Sequence, residues 1–319
     1  MNSTGTAVNL LYGDSSTGTF ASGVAAHDTA AVAGIAMENQ AFGLINSTNN
    51  PIVQFEAAGI FGLGFPSGSK VQEARVADEF GPIEETDHFI RATHKDGPLL
   101  TRLAMTGELD LPMFSITLQR NKLDIGGEGK LTIGKLPDGV LNSSLTWVPV
   151  RLYRAQDGGL RPPTFAPKEV YPFRWEIELD GVFLDGTRIP DSKIPTLDVS
   201  PGKITALIDT GNSILRGPRD MVDAIIKQIS PSFNPGSPDG PPVPCADPHT
   251  LAFQIGGQMF PVDPRDLIGP RSAGDAEACI MDTLVSTDPP RAGSLYRWSL
   301  GDTFMKSLVI NFLLSTSLS

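Results

Sequence analysis

Ile204-Thr205-Ala206-Leu207-Ile208-Asp209-Thr210-Gly211-Asn212-Ser213-Ile214-Leu215-Arg216-Gly217-Pro218 is the stretch on which the reading of this chain turns. The apolar run Ala206 to Ile208 has the length of a buried strand and stops at turn residues. It delivers one carboxylate, Asp209, into a tight Thr-Gly turn, after which Ile214 and Leu215 lead back inside. Carboxylates are seldom buried unless something offsets their desolvation, so an aspartate at the end of a buried strand points to chemistry. Pro218 suits a first helical position, and Met221, Val222, Ile225, Ile226 and Ile229 then mark one face of a helix.

The bulk composition agrees with many short strands. Charged residues make up 19%, while 33 Gly and 27 Pro supply turns, which suits an all-β protein rather than a bundle or a disordered chain. At 319 residues the chain is long enough for two lobes. Its formal charge of −11 repels nucleic acid and anionic membranes, so neither is expected as a partner. That charge would largely be shed in acid, which is compatible with an acidic working pH. The four histidines, His27, His88, His94 and His249, lack metal-ligand spacing, and no Gly-x-Ser-x-Gly elbow, P-loop or dinucleotide fingerprint occurs. No metal or other cofactor is implied. Sequons at Asn2, Asn46 and Asn142 point weakly to an oxidising route. The N-terminus shows neither a basic segment nor an apolar signal region, and Leu308 to Leu314 is too short to span a membrane.

The block around Asp209 resembles the second active-site loop of the pepsin-like (A1) aspartic peptidases, of the fungal type. Other segments resemble the same family. Leu11-Tyr12-Gly13-Asp14-Ser15-Ser16-Thr17-Gly18, within an alternating region at 8–45, is similar to the flap hairpin, whose tyrosine closes over bound peptide. Asp28-Thr29-Ala30 reads as the return strand of that hairpin, because it lacks the Gly and the preceding apolar strand of a catalytic loop. Ile60-Phe61-Gly62 resembles the segment that threads beneath the first catalytic loop, and Leu300-Gly301 would pass likewise beneath Asp209. Leu99 to Met105 suits a short helix. Strands are expected at 113–118, 129–134 and 145–150, followed by a polar surface excursion at 151–173. A hairpin is expected about Asp180-Gly181, and an exposed loop at 231–244.

The resemblance implies a mostly β, bilobal pepsin-like acid protease fold. Its first lobe, 1–150, would be incomplete but would carry the flap. Its second, 151–319, would carry the Asp-Thr-Gly loop. It also implies a monomeric endopeptidase acting on protein or peptide substrates in an acidic extracellular or vacuolar setting. Asp209 would be catalytic, and Tyr12, Gly13, Asp14, Thr210, Gly211 and Asn212 would contact substrate. A Cys245–Cys279 disulfide, common in the family's second lobe, would contribute about 3.5–4 kcal/mol in the chain-entropy view.

The family needs two aspartates that share a proton about one water, a pairing for which the aspartic proteases are the standard example. One accepts the water's proton while the other polarises the carbonyl. Here one Asp-Thr-Gly occurs and no Asp-Ser-Gly, and only eleven residues precede Tyr12. Both ends therefore read as cut, as in an incomplete gene model or splice form, with open sheet edges that favour aggregation. The alternative reading is a catalytically inactive peptide- or protein-binding pseudo-peptidase. Pairing of two copies to assemble a dyad fits poorly, since each chain already carries most of two lobes. Asn212 stands where relatives place Ser or Thr to bond the carboxylate, and its amide is expected to donate there instead.

Overall fold

The computed structural model describes residues 1–12, 18–82, 85–120, 128–195, 204–235, 241–270, 278–287 and 297–314. Its first three strands form an antiparallel sheet in chain order: β1 (Asn2–Leu11), β2 (Phe20–Val32) and β3 (Ile35–Thr48). Ala33 and Gly34 close β2 onto β3 with positive φ at both positions, the turn whose twist matches a two-residue hairpin. Asp28 lies within β2, as expected of a return strand, and pairs with the N-terminal amine.

Three helices follow: α1 (Lys70–Phe80), α2 (Thr86–Asp96) and α3 (Leu99–Thr106). The last matches the expected short helix and ends at Gly107 in the left-handed region. The first two are not foreshadowed by apolar periodicity, because what they bury is largely polar. Gln72 donates to the Phe89 carbonyl and to Thr93 Oγ1, at 2.8 and 2.9 Å. Asp96, 1% exposed, meets His27 Nε2 at 3.0 Å and so ties α2 to β2. Buried Arg102 donates to the carbonyls of His94 and Asn39 and to Gln40 Oε1, tying α3 to β3.

Next come β4 (Met113–Thr117), β5 (Lys130–Ile133) and β6 (Val150–Tyr153). The strand expected at 145–150 therefore starts only at its last residue. Pro149 has no N–H to give a ladder and biases the residue before it, and Trp147 is exposed to solvent. Nor is 151–173 wholly a surface excursion. Tyr153 and Leu160 are buried, and Tyr153 OH donates to the fully buried Glu176.

β7 (Tyr171–Leu179) and β8 (Gly181–Leu184) flank Asp180-Gly181 but lie in different sheets, so the expected hairpin does not form there. The turn is one Asp-Gly later. Asp185 and Gly186, both at positive φ, join β8 to β9 (Thr187–Arg188), whereas Gly181 is not in that conformation. The organising stretch then gives β10 (Ile204–Ile208), β11 (Leu215–Pro218) and α4 (Arg219–Ile229). The five apolar residues expected on one helix face are all buried, with Pro218 as the residue just before the helix rather than its first.

The tract expected to be an exposed loop contains β12 (Pro242–Pro244), with Val243 buried. Residues 236–240 of that tract lie outside the described residues. After β13 (Leu251–Ile255), β14 (Gln258–Pro261) and α5 (Pro264–Leu267) come β15 (Gly269–Pro270), β16 (Ala278–Ile280) and β17 (Leu284–Thr287). The described chain closes with β18 (Trp298–Leu300), α6 (Asp302–Met305) and β19 (Val309–Leu313). Cys245 and Cys279 form a disulfide beside the β12–β16 pair.

One sheet, in the order β17-β11-β18-β10-β7-β6, presents the Asp209 loop. Another, β19-β4-β5, joins the end of the described chain to its first half. Trp175 on β7 packs against Phe65, Phe114 and Phe312, so the larger of two hydrophobic clusters among the described residues runs from one half of the sequence to the other. The architecture is mostly β, as the pepsin-like fold requires.

Candidate functional site

The Asp209 loop is built from three adjacent strands. β10 and β18 run parallel with Ile208 opposite Leu300, while β11 runs antiparallel to β18 with Leu215 also opposite Leu300. Leu300-Gly301 therefore passes between the two arms of the loop. Asp209 N–H donates to the Leu300 carbonyl (3.2 Å), Gly301 N–H to that of Ile214 (3.2 Å), and Asp302 N–H to that of Asn212 (2.8 Å). The crossing leaves no room for a side chain. A Cβ on Gly301 would stand 1.9 Å from the Asn212 carbonyl oxygen and 2.6 Å from that of Ile214. One strand along, a Cβ on Gly217 would stand 2.5 Å from the Trp298 ring.

At the tip, Asp209 is half-buried and its Oδ1 accepts the Gly211 N–H at 2.8 Å. Thr210 and Gly211 are exposed. The turn fixes the carboxylate against its own backbone and leaves its neighbours open to a ligand. The side-chain amide of Asn212 donates to the Ile214 carbonyl (2.7 Å) and to Ser299 Oγ (2.9 Å), which engages both of its N–H groups. The expected donation from Asn212 to the Asp209 carboxylate is therefore not made. A longer amide reaches past the carboxylate to the hydroxyl on β18, and its role becomes bracing the loop.

A second acid lies within electrostatic reach. Asp302, half-buried at the start of α6, has its carboxyl raised above the ordinary aspartate value, first by burial. The nearby Asp209 charge adds to the rise, and the Lys306 ammonium opposes it. Ser299 and Asp302 were not singled out as site residues in the sequence. Their place follows from β18 lying between β10 and β11, on either side of Leu300-Gly301.

The hairpin of β1 and β2 supports Tyr12, whose N–H donates to the Thr19 carbonyl at 3.0 Å. Tyr12 is half-buried, and that burial raises its hydroxyl above the ordinary tyrosine value. Gly13 and Asp14 lie outside the described residues.

The counterpart crossing in the first half is bare. Ile60 and Phe61 are exposed at 54% and 42%, and a Cβ on Gly62 would meet nothing within 4 Å. Segment 57–63 forms no strand; its tie is the Leu63 carbonyl, which accepts Trp175 Nε1–H at 2.9 Å. Among the described residues no group of three or more His, Cys, Asp or Glu is arranged to hold a metal. No helix there is long and apolar enough to cross a membrane.

A carboxylate held by a turn amide can accept a proton from water or bond a polar ligand group. The family model described as eukaryotic aspartyl protease matches residues 1–317. Cathepsin E of Mus musculus is 27% identical over 290 residues, covering 89% of this chain and 58% of that protein. Cathepsin E-A of Xenopus laevis is 26% identical over 307 residues (95% and 61%), and pepsin A of Sus scrofa 27% over 304 (94% and 62%). The chain thus spans about three fifths of the length of these curated relatives. With the match running through the strand, turn and glycine crossing that hold Asp209, the chain belongs to the eukaryotic aspartyl protease family.

Proposed function

We propose that this chain is an aspartic endopeptidase by lineage, with Asp209 as one half of a two-aspartate pair that activates water against peptide bonds at acidic pH. The observation that carries this reading is the Asp209 loop itself. Three strands, a turn amide and a glycine crossing serve to hold one half-buried carboxylate in a fixed pose. Thr210 and Gly211 would line the peptide beside it, with Tyr12, Gly13 and Asp14 closing from the hairpin and Asn212 bracing the floor. The reading takes residues 1–150 and 151–319 as two lobes about a cleft, in a monomer whose substrates are proteins or peptides. The disulfide fits an oxidising compartment, extracellular or vacuolar.

A second reading has an observation of its own. Ile60, Phe61 and Gly62 support no loop among the described residues, and the sequence holds a single Asp-Thr-Gly and no Asp-Ser-Gly. A cleft with one such aspartate binds peptide without cutting it, which is the pseudo-peptidase alternative. Hydrolysis of an acid-denatured protein, followed by mass spectrometry for wild type and Asp209→Asn, tests the first reading. Cleavage at acid pH that Asp209→Asn abolishes supports it, and cleavage indifferent to that substitution overturns it. Saturable binding of a statine-containing peptide, sensitive to Asp209→Asn but with no cleavage, selects the second.

A further inference from the structure

The segment before β6 holds an exposed tryptophan in a fixed position. Thr146 and Val148 lie against the turn that joins β13 to β14, where a Cβ on Gly256 would stand 3.0 Å from Thr146 Cγ2 and 2.9 Å from Val148 Cγ1. Trp147, between them, is 43% exposed, and its indole N–H donates to Asn142 Oδ1 at 2.8 Å. The ring is thus anchored through both neighbours and its own N–H while its apolar surface meets water. An exposed ring does not by itself call for a partner. This one has a candidate on the other end of its hydrogen bond.

Asn142 opens Asn142-Ser143-Ser144, an acceptor sequence for N-linked sugar with no proline at its centre. All three residues are exposed and form a single 3-10 turn. An indole N–H can only donate, so its bond to Asn142 settles which end of the carboxamide is the oxygen. Nδ2, the atom that carries an N-linked sugar, is left without a partner among the described residues. Oδ1 and Nδ2 share one carbon, so a sugar on Nδ2 starts beside the indole. Its apolar C–H face can then lie on the negative face of the ring. The turn's backbone bonds, from Ser144 N–H to the Leu141 carbonyl (2.9 Å) and from Leu145 N–H to that of Asn142 (3.2 Å), make no use of the Asn142 side chain. The sequons at Asn2 and Asn46 are also exposed, within β1 and β3, but the other indoles do not serve them. Trp175 donates to the Leu63 carbonyl, and Trp298 is buried. The Cys245–Cys279 disulfide fits the oxidising route on which such sugars are added.

We propose that Asn142 is an N-glycosylation site whose first sugar packs on the Trp147 ring. The proposal rests on the oxidising compartment inferred above and not on peptide cleavage. To test it, the full chain is expressed behind a secretory leader in a host that adds high-mannose sugars. That imposes the route, so a failure of the site is distinguishable from an error in the assigned compartment or activity. Release with peptide-N-glycosidase F in water labelled with heavy oxygen converts each occupied asparagine to a labelled aspartate, and mass spectrometry should find that label at residue 142. The same reading on chain translated into microsomes needs no folded product. Packing is read by acrylamide quenching of tryptophan fluorescence, which selects Trp147 because Trp175 and Trp298 are buried. Trimming with endoglycosidase H leaves the first sugar in place and should leave quenching low. Complete release should raise it to the level of Ser144→Ala, which lacks the sequon but leaves both partners of the Asn142–Trp147 hydrogen bond in place. An unlabelled Asn142, whether or not Asn2 or Asn46 is labelled, overturns the proposal. So does quenching that is the same before and after complete release, since the sugar would then stand clear of the ring.

Discussion

Adding one methyl group at residue 301 should cost more than almost any other single change in this protein. Gly301 has φ −94° and ψ −155°, an extended backbone that alanine adopts freely, so the penalty is steric and not conformational. The new Cβ would fall 1.9 Å from the Asn212 carbonyl oxygen and 2.6 Å from the Ile214 carbonyl oxygen. Both are backbone atoms and cannot rotate aside. Either β18 or the Asp209 loop must retreat, which puts at risk the Gly301-to-Ile214 and Asp302-to-Asn212 hydrogen bonds. Overpacking of about 1–3 kcal/mol plus two weakened hydrogen bonds at about 1 kcal/mol each gives a loss of roughly 3–5 kcal/mol. That is a large fraction of the stability of a typical folded domain, about 5–15 kcal/mol. Gly62→Ala is the matched control, because its Cβ enters open space and should change stability by less than about 0.5 kcal/mol. Urea denaturation of the two variants beside wild type gives both numbers. A Gly301→Ala loss below about 1 kcal/mol, or equal losses at the two glycines, would refute the account of the crossing.

Three further predictions concern charge and covalent ties. Asp302 has its folded-state carboxyl raised mainly by burial. Its proton is therefore held without cost in acid, and stability is lost as pH rises from the ordinary aspartate value through the raised one. Asp302→Asn should match wild type near pH 3 and become relatively more stable near pH 7, in urea titrations at about those two values. A gap of the opposite sign would contradict the assignment. Asp263 is the reverse case, lowered from 3.8 to about 2, chiefly by its hydrogen bonds from Arg265 and also by Arg120, against a smaller effect of burial. The stability it contributes is present above its unfolded value and fades as pH falls towards 2, so the difference between wild type and Asp263→Asn should shrink over that interval. Finally, the Cys245–Cys279 bridge closes a separation of 34 residues. Replacing both cysteines with serine should lower unfolding free energy by about 3–4 kcal/mol, and a loss under about 1 kcal/mol would show that the bridge constrains little.

What could be read from residues alone divides along physical lines. The β10–Asp209–β11–α4 unit was legible because its signals are local. A short apolar run, a turn and a 3.6-residue periodicity all fall within 26 residues. The two Asp-Gly pairs at 180 and 185 are indistinguishable as letters, and only the positive φ of Asp185 and Gly186 decides which one turns the chain. Helices α1 and α2 were hidden because Gln72, Thr93 and Asp96 occupy buried positions where a periodic pattern needs apolar residues. The commitments of Asn212 and the raised carboxyl of Asp302 depend on Ser299 and on packing that brings sequence positions about 90 residues apart together. No local pattern encodes those. The bareness of Ile60-Phe61-Gly62 was equally invisible, since a glycine beneath a loop and a glycine facing solvent are written alike.

The central claim is that residue 209 presents its acid to a peptide-binding groove. The most direct measurement is a crystal structure of the chain with a statine-containing peptide at acid pH. The account predicts the statine hydroxyl within hydrogen-bond distance of the Asp209 carboxylate, with Tyr12 lying over the peptide. Peptide bound elsewhere while Asp209 faces bulk water would contradict it.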